Sequence, residues 1–148
     1  MDMTITGGRH PFRGEYKVGF TNEGIVKALD VKVYNNGGFT HDLSYPVLER
    51  AMLFQDSCYK IPNIRFEQEY MLSLIHFYRV VGKACKTNMP SHTAFRGFGG
   101  PQGHLIAETW MDHMASVLNK PAHEVREKNL YNEGELTYYK FPVTKNVR

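Results

Sequence analysis

The chain has 148 residues, of which 42% are hydrophobic and 13% aromatic, and its formal net charge is +3. This length and composition suit one domain with a real hydrophobic core. Basic and acidic residues are interspersed, no run of Lys and Arg marks a nucleic-acid-binding surface, and a strongly apolar run at residues 70–78 is too short for a membrane-spanning helix. We therefore expect no nucleic-acid partner and no membrane partner.

The sequence pattern in the first third of the chain predicts a β-hairpin with one solvent-exposed face. Its alternating apolar residues are Tyr16, Val18 and Phe20 before a turn and Leu29, Val31 and Val33 after it. A period of two places such side chains on the same buried face of a strand pair. Residues 22–24 form the turn, and residues 35–38 end the hairpin with types that tolerate positive φ.

A short helix is predicted next. Ser44 can cap it, and Pro46 suits its first turn. One face of this helix carries Leu48, Ala51, Met52 and Gln55. Glu49 and Arg50 lie beside that face, and a surface ion pair between them is the simplest local interpretation. An extended segment at residues 59–62 and a strand at residues 80–87 follow.

Residues 93–103, hereafter the glycine loop, are the most informative stretch of the chain. They hold four glycines, one proline, two phenylalanines and Arg96. A backbone this bare can approach a bulky ligand closely, and the start of the following helix favours an anion. The loop therefore resembles a platform for a flat molecule beside an anionic cofactor. A helix-start turn without any ligand also fits the local pattern.

Two helices are predicted after the loop. The first, at residues 104–118, has an apolar stripe formed by Leu105, Ile106, Trp110, Met114, Val117 and Leu118. The second covers about residues 121–131, with Glu124 and Lys128 spaced to pair. Strands followed by helices, without regular βαβ alternation, predict an α+β fold: a β-hairpin or sheet followed by packed helices.

The usual catalytic motifs are absent from the sequence. There is no His-Glu-x-x-His, Cys-x-x-Cys, Gly-x-Ser-x-Gly or phosphate-loop pattern. Glu108 and Asp112 are four residues apart on the long helix and could be a carboxylate pair, although a solvated helix face explains them more simply. Cys58 and Cys85 lack metal-type spacing and no secretory signal precedes them, so we expect free thiols in a reducing, intracellular setting.

Seven stretches resemble the molybdenum hydroxylases, the family of xanthine dehydrogenases and aldehyde oxidases. In family order they are residues 5–12, 16–20, 48–52, 58–63, 85–88, 93–103 and 128–131. The glycine-loop match, Thr-Ala-Phe-Arg-Gly-Phe-Gly-Gly-Pro-Gln-Gly, is long and unusual, and the stretches are spread over most of the chain, from residue 5 to residue 131. Xanthine dehydrogenase is the closer resemblance. It implies that residues 1–148 form part of the molybdenum-cofactor-binding domain of a much longer enzyme.

The resemblance implies roles for five residues. Arg96 matches the arginine at the pterin-bound molybdenum centre, near the metal without being its ligand, and Phe95 and Gly97 lie in the same cofactor-binding loop. Phe98 matches the aromatic residue that stacks on the substrate ring. Arg50 matches the arginine that binds the purine's polar edge and stabilises negative charge in the transition state. Because aldehyde oxidases usually have a non-cationic residue at that position, Arg50 favours a purine substrate.

The resemblance also implies the context of the reaction. Hypoxanthine and xanthine would be hydroxylated to urate, with electrons passing through 2Fe–2S centres and FAD to NAD in parts of the enzyme outside this chain. The family's general-base glutamate has no counterpart here, so the chain alone is expected to be inactive. The parent enzyme is expected to be a homodimer in the cytoplasm or, alternatively, the peroxisome. Other interpretations are an aldehyde oxidase fragment, or a non-catalytic product of a pseudogene or partial gene model.

One stretch departs from the family pattern. Residues 66–79 look like an insertion between segments that the family joins almost directly. Translated non-coding sequence and a genuine surface loop are both compatible with it. We favour the first interpretation, because a functional surface loop should be more polar and an exposed apolar run invites aggregation.

Overall fold

A sheet and three helices make up the computed structural model, which describes residues 7–62, 65–68, 78–137 and 141–144. The elements in chain order are β1 (Phe12–Phe20), β2 (Val26–Gly38), α1 (Ser44–Leu53), β3 (Arg65–Gln68), β4 (Tyr78–Lys86), α2 (Gly100–Val117) and α3 (Ala122–Asn129). The described strands form one sheet in the order β1-β2-β4-β3. The α+β prediction is confirmed.

The predicted hairpin is confirmed. Strands β1 and β2 pair antiparallel, with Val18 opposite Leu29 and Tyr16 opposite Val31. Gly24 closes the turn at a φ of +93° and donates its backbone N–H to the carbonyl oxygen of Thr21 at 2.9 Å. Alternation along β2 buries the apolar residues against the helices, as the period of two requires.

Strand β4 lies parallel to β2, which the sequence did not predict. Val31 faces Val80 across this pair, and β3 then adds to the far side of β4, also parallel. Parallel neighbours cannot be joined by a tight turn, so the chain crosses over between β2 and β4, and α1 lies in that crossover. One strand–helix–strand unit is therefore embedded in the α+β architecture.

The core lies between the sheet and the helices. Its fully buried large side chains include Leu29, Leu48, Tyr59, Trp110, Met111 and Met114. The predicted stripe on the long helix is only partly right, because Leu105 and Val117 are 69% and 65% exposed. Small residues, Gly103 and Ala107, are buried there instead. Gly103 lets α2 approach α1 more closely than leucine would allow.

Several predicted helix details are wrong. The long helix begins at Gly100, inside the glycine loop, not at residue 104. The N-cap of α1 is Leu43, and the hydroxyl of Ser44 bonds a histidine instead of capping. Lys128 donates to the carbonyl oxygen of Glu23 at 2.9 Å, and no ion pair with Glu124 forms in the described part of the chain.

The predicted insertion falls only partly within the described residues. Residues 66–68 belong to β3 and residues 78–79 begin β4, whereas residues 69–77 lie outside the described ranges. Both cysteines are free thiols, as predicted. None of the helices in the described ranges has the length and hydropathy to cross a membrane.

Candidate functional site

The glycine loop reaches α2 through three consecutive residues in the left-handed region. The φ angles are +87° at Gly97, +48° at Phe98 and +89° at Gly99. Gly100 then donates its backbone N–H to the carbonyl oxygen of Gly97 at 2.9 Å. Glycine adopts such angles freely, whereas a bulky aromatic residue does so only when its surroundings enforce it. Strain of this kind at Phe98 concentrates at binding and catalytic sites, which makes the loop a functional candidate.

The loop is also locked against α1 by direct backbone contact. A Cβ atom on Gly99 would lie 2.0 Å from the carbonyl oxygen of Val47, and one on Gly103 would lie 2.5 Å from that of Ala51. Neither glycine can therefore be replaced without separating the loop from the helix. The two contacts fix the glycine loop relative to the helix that carries Arg50.

Arg50 lies on the exposed side of α1, next to Ala51. Its guanidinium carbon is 5.4 Å from the centroid of the Phe54 ring. Within the described residues it forms no ion pair with Glu49, so the local pairing suggested by the sequence is not made. Packing on a ring face orients a guanidinium while leaving its edges available for hydrogen bonds.

The four loop residues singled out from the sequence lie together. Phe95 is 40% exposed, Arg96 and Gly97 are exposed, and Phe98 is half-buried. Arg9 donates from Nη2 to the carbonyl oxygen of Arg96 at 2.7 Å, and its guanidinium carbon lies 5.7 Å from the centroid of the Phe95 ring. The exposed guanidinium of Arg96 offers a positive charge, and the backbone of Gly97, which has no side chain, lets a ligand approach closely. Both features fit a bulky anionic cofactor.

The start of α2 contributes less to anion binding than the sequence suggested. The N–H groups of Gly100 and Gly103 already donate to the carbonyl oxygens of Gly97 and Gly99, and Pro101 has no N–H. Free donors are therefore few at this helix end, although its partial positive charge remains. Arg96 is the stronger anion-binding group in the loop.

The Glu108 and Asp112 pair is structural. Arg126 donates from Nε to Glu108 at 2.9 Å and from Nη2 to Asp112 at 2.6 Å. The Tyr59 hydroxyl donates to the other oxygen of Glu108 at 2.7 Å. Burial, followed by this hydrogen bond, raises the pKa of Tyr59. These contacts tie α2 to α3, so the carboxylates form neither an acid–base pair nor a merely solvated face.

Two residues before β1 belong to the site, and sequence reasoning gave them no role. One is Arg9, described above. The other is His10, which is 2% exposed and hydrogen-bonded through Nε2 to the hydroxyl of Ser44 at 2.9 Å. Burial lowers the pKa of His10; His92 lowers it further, and Asp42 opposes the shift. Their place in the first family-like stretch, residues 5–12, was the available signal.

Side-chain metal ligands are not gathered in the described residues. No group of three or more His, Cys, Asp or Glu there could hold a metal ion. A separate cavity of about 470 Å³ lies at the end of the sheet, lined by Gly37, Gly38, Phe39, Thr40, His41, Ser44, Tyr45, Ala84, Cys85 and Lys86. Neither Arg50 nor residues 95–98 line it.

Sequence comparison identifies relatives for nearly the whole chain. The sequence model of the molybdopterin cofactor-binding domain family matches residues 1–73 and 74–130. Xanthine dehydrogenase/oxidase of Rattus norvegicus is 54% identical over 138 residues, which are 93% of this chain and 9% of that protein. Xanthine dehydrogenase of Oryza sativa subsp. japonica is 52% identical, with 94% and 9% covered. The chain thus spans about a tenth of the length of these relatives.

Structural comparison finds the same architecture in larger proteins. The aldehyde oxidoreductase of Desulfovibrio gigas aligns with a TM-score of 0.78 and 25% identity, over 94% of this chain and 14% of that protein. Quinoline 2-oxidoreductase from Pseudomonas putida 86 aligns with a TM-score of 0.67 and 22% identity, over 95% of this chain and 17% of that one. The second likeness is one of fold alone.

Proposed function

Because this chain belongs to the molybdopterin cofactor-binding domain family, we propose that it forms part of the cofactor and substrate site of a longer xanthine dehydrogenase. That longer protein is called the parent polypeptide below. One observation carries the proposal: the strained, glycine-rich loop with Phe95, Arg96 and Phe98 is locked by backbone contact to the helix of Arg50. Relatives named xanthine dehydrogenase, more than 50% identical, support the same assignment.

The glycine loop would hold the molybdenum–molybdopterin cofactor. The exposed guanidinium of Arg96 would bind an anionic part of it, and the exposed backbone of Gly97 would let it approach closely. Phe95 would shield one side of the group from water. When bound, the cofactor supplies the two-electron oxidation of the substrate. In the parent polypeptide, 2Fe–2S centres, FAD and NAD would carry the electrons away.

The substrate would be a purine, hypoxanthine or xanthine, bound between Phe98 and Arg50. The half-buried ring of Phe98 offers a face on which a flat heterocycle can stack. The guanidinium of Arg50 would donate to the polar edge of the purine. Negative charge that develops on the heterocycle during oxidation strengthens this contact, so Arg50 stabilises the transition state more than the ground state.

An aldehyde oxidase is the second candidate, favoured by the structural likeness to an aldehyde oxidoreductase. Arg50 distinguishes the two candidates, because a purine has a ring edge on which negative charge accumulates next to this arginine and an aldehyde has none. The remaining features of the parent polypeptide rest on the family resemblance: a homodimer in the cytoplasm or peroxisome, with the general base outside this chain. For that reason the 148 residues alone would have no activity.

The test is Arg50→Met in the parent polypeptide, with Arg13→Met as control. Arg13 is an exposed arginine that, within the described residues, pairs with Glu15 at 2.8 Å, two residues further along the same strand, β1. Losing one transition-state donor typically costs about 2.7–4 kcal/mol, or roughly 10²–10³ in kcat. We expect that loss for xanthine, a far smaller one for an aromatic aldehyde, and none in the control. Equal losses on both substrates would show that Arg50 is structural.

A further inference from the structure

Three residues ahead of β1 bond the glycine loop at both ends and in the middle. They are Gly8, Arg9 and His10, hereafter the N-terminal clamp. The backbone N–H of Thr93 donates to the carbonyl oxygen of Gly8 at 3.2 Å. The side-chain amide of Gln102 donates to the backbone carbonyl oxygen of His10, also at 3.2 Å. Arg9 reaches the carbonyl oxygen of Arg96 at 2.7 Å between them. The loop is thus held along its length by one short segment.

The clamp is itself anchored to the sheet and to α1. Pro11 accepts a hydrogen bond from the backbone N–H of Asn36 on β2 at 3.0 Å. The buried ring of His10 bonds the hydroxyl of Ser44, the first residue of α1, at 2.9 Å. Its ring centroid is 5.8 Å from that of His92, just before the loop. Because these contacts fix the clamp to the sheet and to α1, Arg9 can hold the part of the glycine loop that it contacts in a fixed position.

Arg9 is the clamp residue that acts on the strained part of the loop. Its side chain bonds the main chain of Arg96 and lies beside the ring of Phe95 at the same time. The left-handed residues begin immediately afterwards, at Gly97. A charged donor on a carbonyl oxygen is among the stronger hydrogen bonds available, and the ring contact adds to it. Both contacts restrain the two residues that lead into the strained turn.

We propose that Arg9 is a positioning residue for the cofactor site, holding Phe95 and the main chain of Arg96 in the conformation that receives the cofactor. The proposal rests on the proposed function for the identity of the ligand. The restraint that Arg9 places on the loop does not depend on that function, because it is a property of the loop. Arg9 is exposed, so its removal should loosen the loop without unfolding the domain.

The test compares Arg9→Met, Arg9→Lys and Arg13→Met in the parent polypeptide by amide hydrogen exchange. Methionine keeps much of the side-chain length and loses the donor, whereas lysine can still donate to the carbonyl oxygen of Arg96. Arg13→Met removes an exposed arginine that does not touch the loop. For Arg9→Met we expect exchange in residues 93–103 to accelerate roughly 2- to 12-fold, the factor that one hydrogen bond is worth. Peptides from β2 should not change, and Arg9→Lys should restore most of the protection.

Molybdenum content, measured on the same samples, is the second readout. We expect it to fall in Arg9→Met, in parallel with the loss of loop protection, and to stay at the wild-type level in Arg13→Met. Loop exchange that matched Arg13→Met would overturn the proposal. An equal rise of exchange in the core, together with a lower melting temperature, would also overturn it, because Arg9 would then stabilise the whole fold. A wild-type protein without molybdenum would instead refute the proposed function, and the exchange comparison would still decide the role of Arg9.

Discussion

Replacing Gly103 by alanine tests the closest approach in the site. The new Cβ would lie 2.5 Å from the carbonyl oxygen of Ala51 and 3.1 Å from the Cβ of Phe54. Backbone oxygen cannot rotate away, so α2 must move away from α1. Gly100 offers a matched control on the same helix, because a Cβ there meets nothing within 4 Å.

The two substitutions should change stability in opposite directions. Glycine to alanine at a compatible site stabilises by about 0.4–1 kcal/mol, mainly by restricting the unfolded chain. That gain is shared by Gly100→Ala and Gly103→Ala. Overpacking a tight contact costs about 1–3 kcal/mol, and only Gly103→Ala incurs it. We therefore expect the two variants to differ by about 1–3 kcal/mol, with Gly100→Ala the more stable.

Thermal and urea unfolding of the purified chain would measure this difference. For a domain of about 150 residues, 1 kcal/mol corresponds to roughly 2–4 °C in Tm. The melting temperature of Gly100→Ala should match or exceed that of the wild type, and that of Gly103→Ala should fall below it. Equal stability of the two variants would show that α1 and α2 are not in the close contact described above.

Two more predictions concern an acid in the core and the segment that departs from the family. Burial raises the pKa of Asp56 to about 7 from 3.8, so the stability that its protonated form contributes is lost as pH rises through about 7. Relative to Asp56→Asn, the wild type should lose roughly 2.5 kcal/mol between pH 5 and pH 8 in melting experiments, whereas an unchanged difference would exclude the shift. Deleting residues 66–79 from the parent polypeptide removes all but the first residue of β3, at the edge of the described sheet, and the first two residues of β4. It should leave the molybdenum content unchanged; a folded deletion variant without cofactor would contradict this.

Local pattern was enough to predict part of the fold. The hairpin followed from strict alternation, and the buried face of α1 followed from the spacing of Leu48, Ala51 and Met52. The parallel pairing of Val31 with Val80 could not be seen this way, because it joins distant segments through backbone bonds that carry no residue preference. Hydrophobicity predicted Trp110 and Met114 on the buried face of α2 correctly, but not Leu105, because close helix packing buried Gly103 and left Leu105 in water.

In the candidate site, too, local sequence pattern predicted the neighbouring residues but not the distant contacts. Phe95, Arg96 and Phe98 are neighbours in sequence, so their grouping was visible at once. The lock between Gly99 and α1 and the bond from Arg9 to the loop both end on carbonyl oxygens. Any residue type presents such an oxygen, so neither partner could be read from the sequence.

Molybdenum and pterin analysis of the purified, folded parent polypeptide tests whether the glycine loop belongs to a molybdopterin site. We expect near-stoichiometric molybdenum, together with a pterin that is released on denaturation. The glycine loop would then have the ligand for which its bare backbone and Arg96 are suited. A fully folded parent polypeptide that contained neither molybdenum nor pterin after expression in a host that makes the cofactor would contradict it.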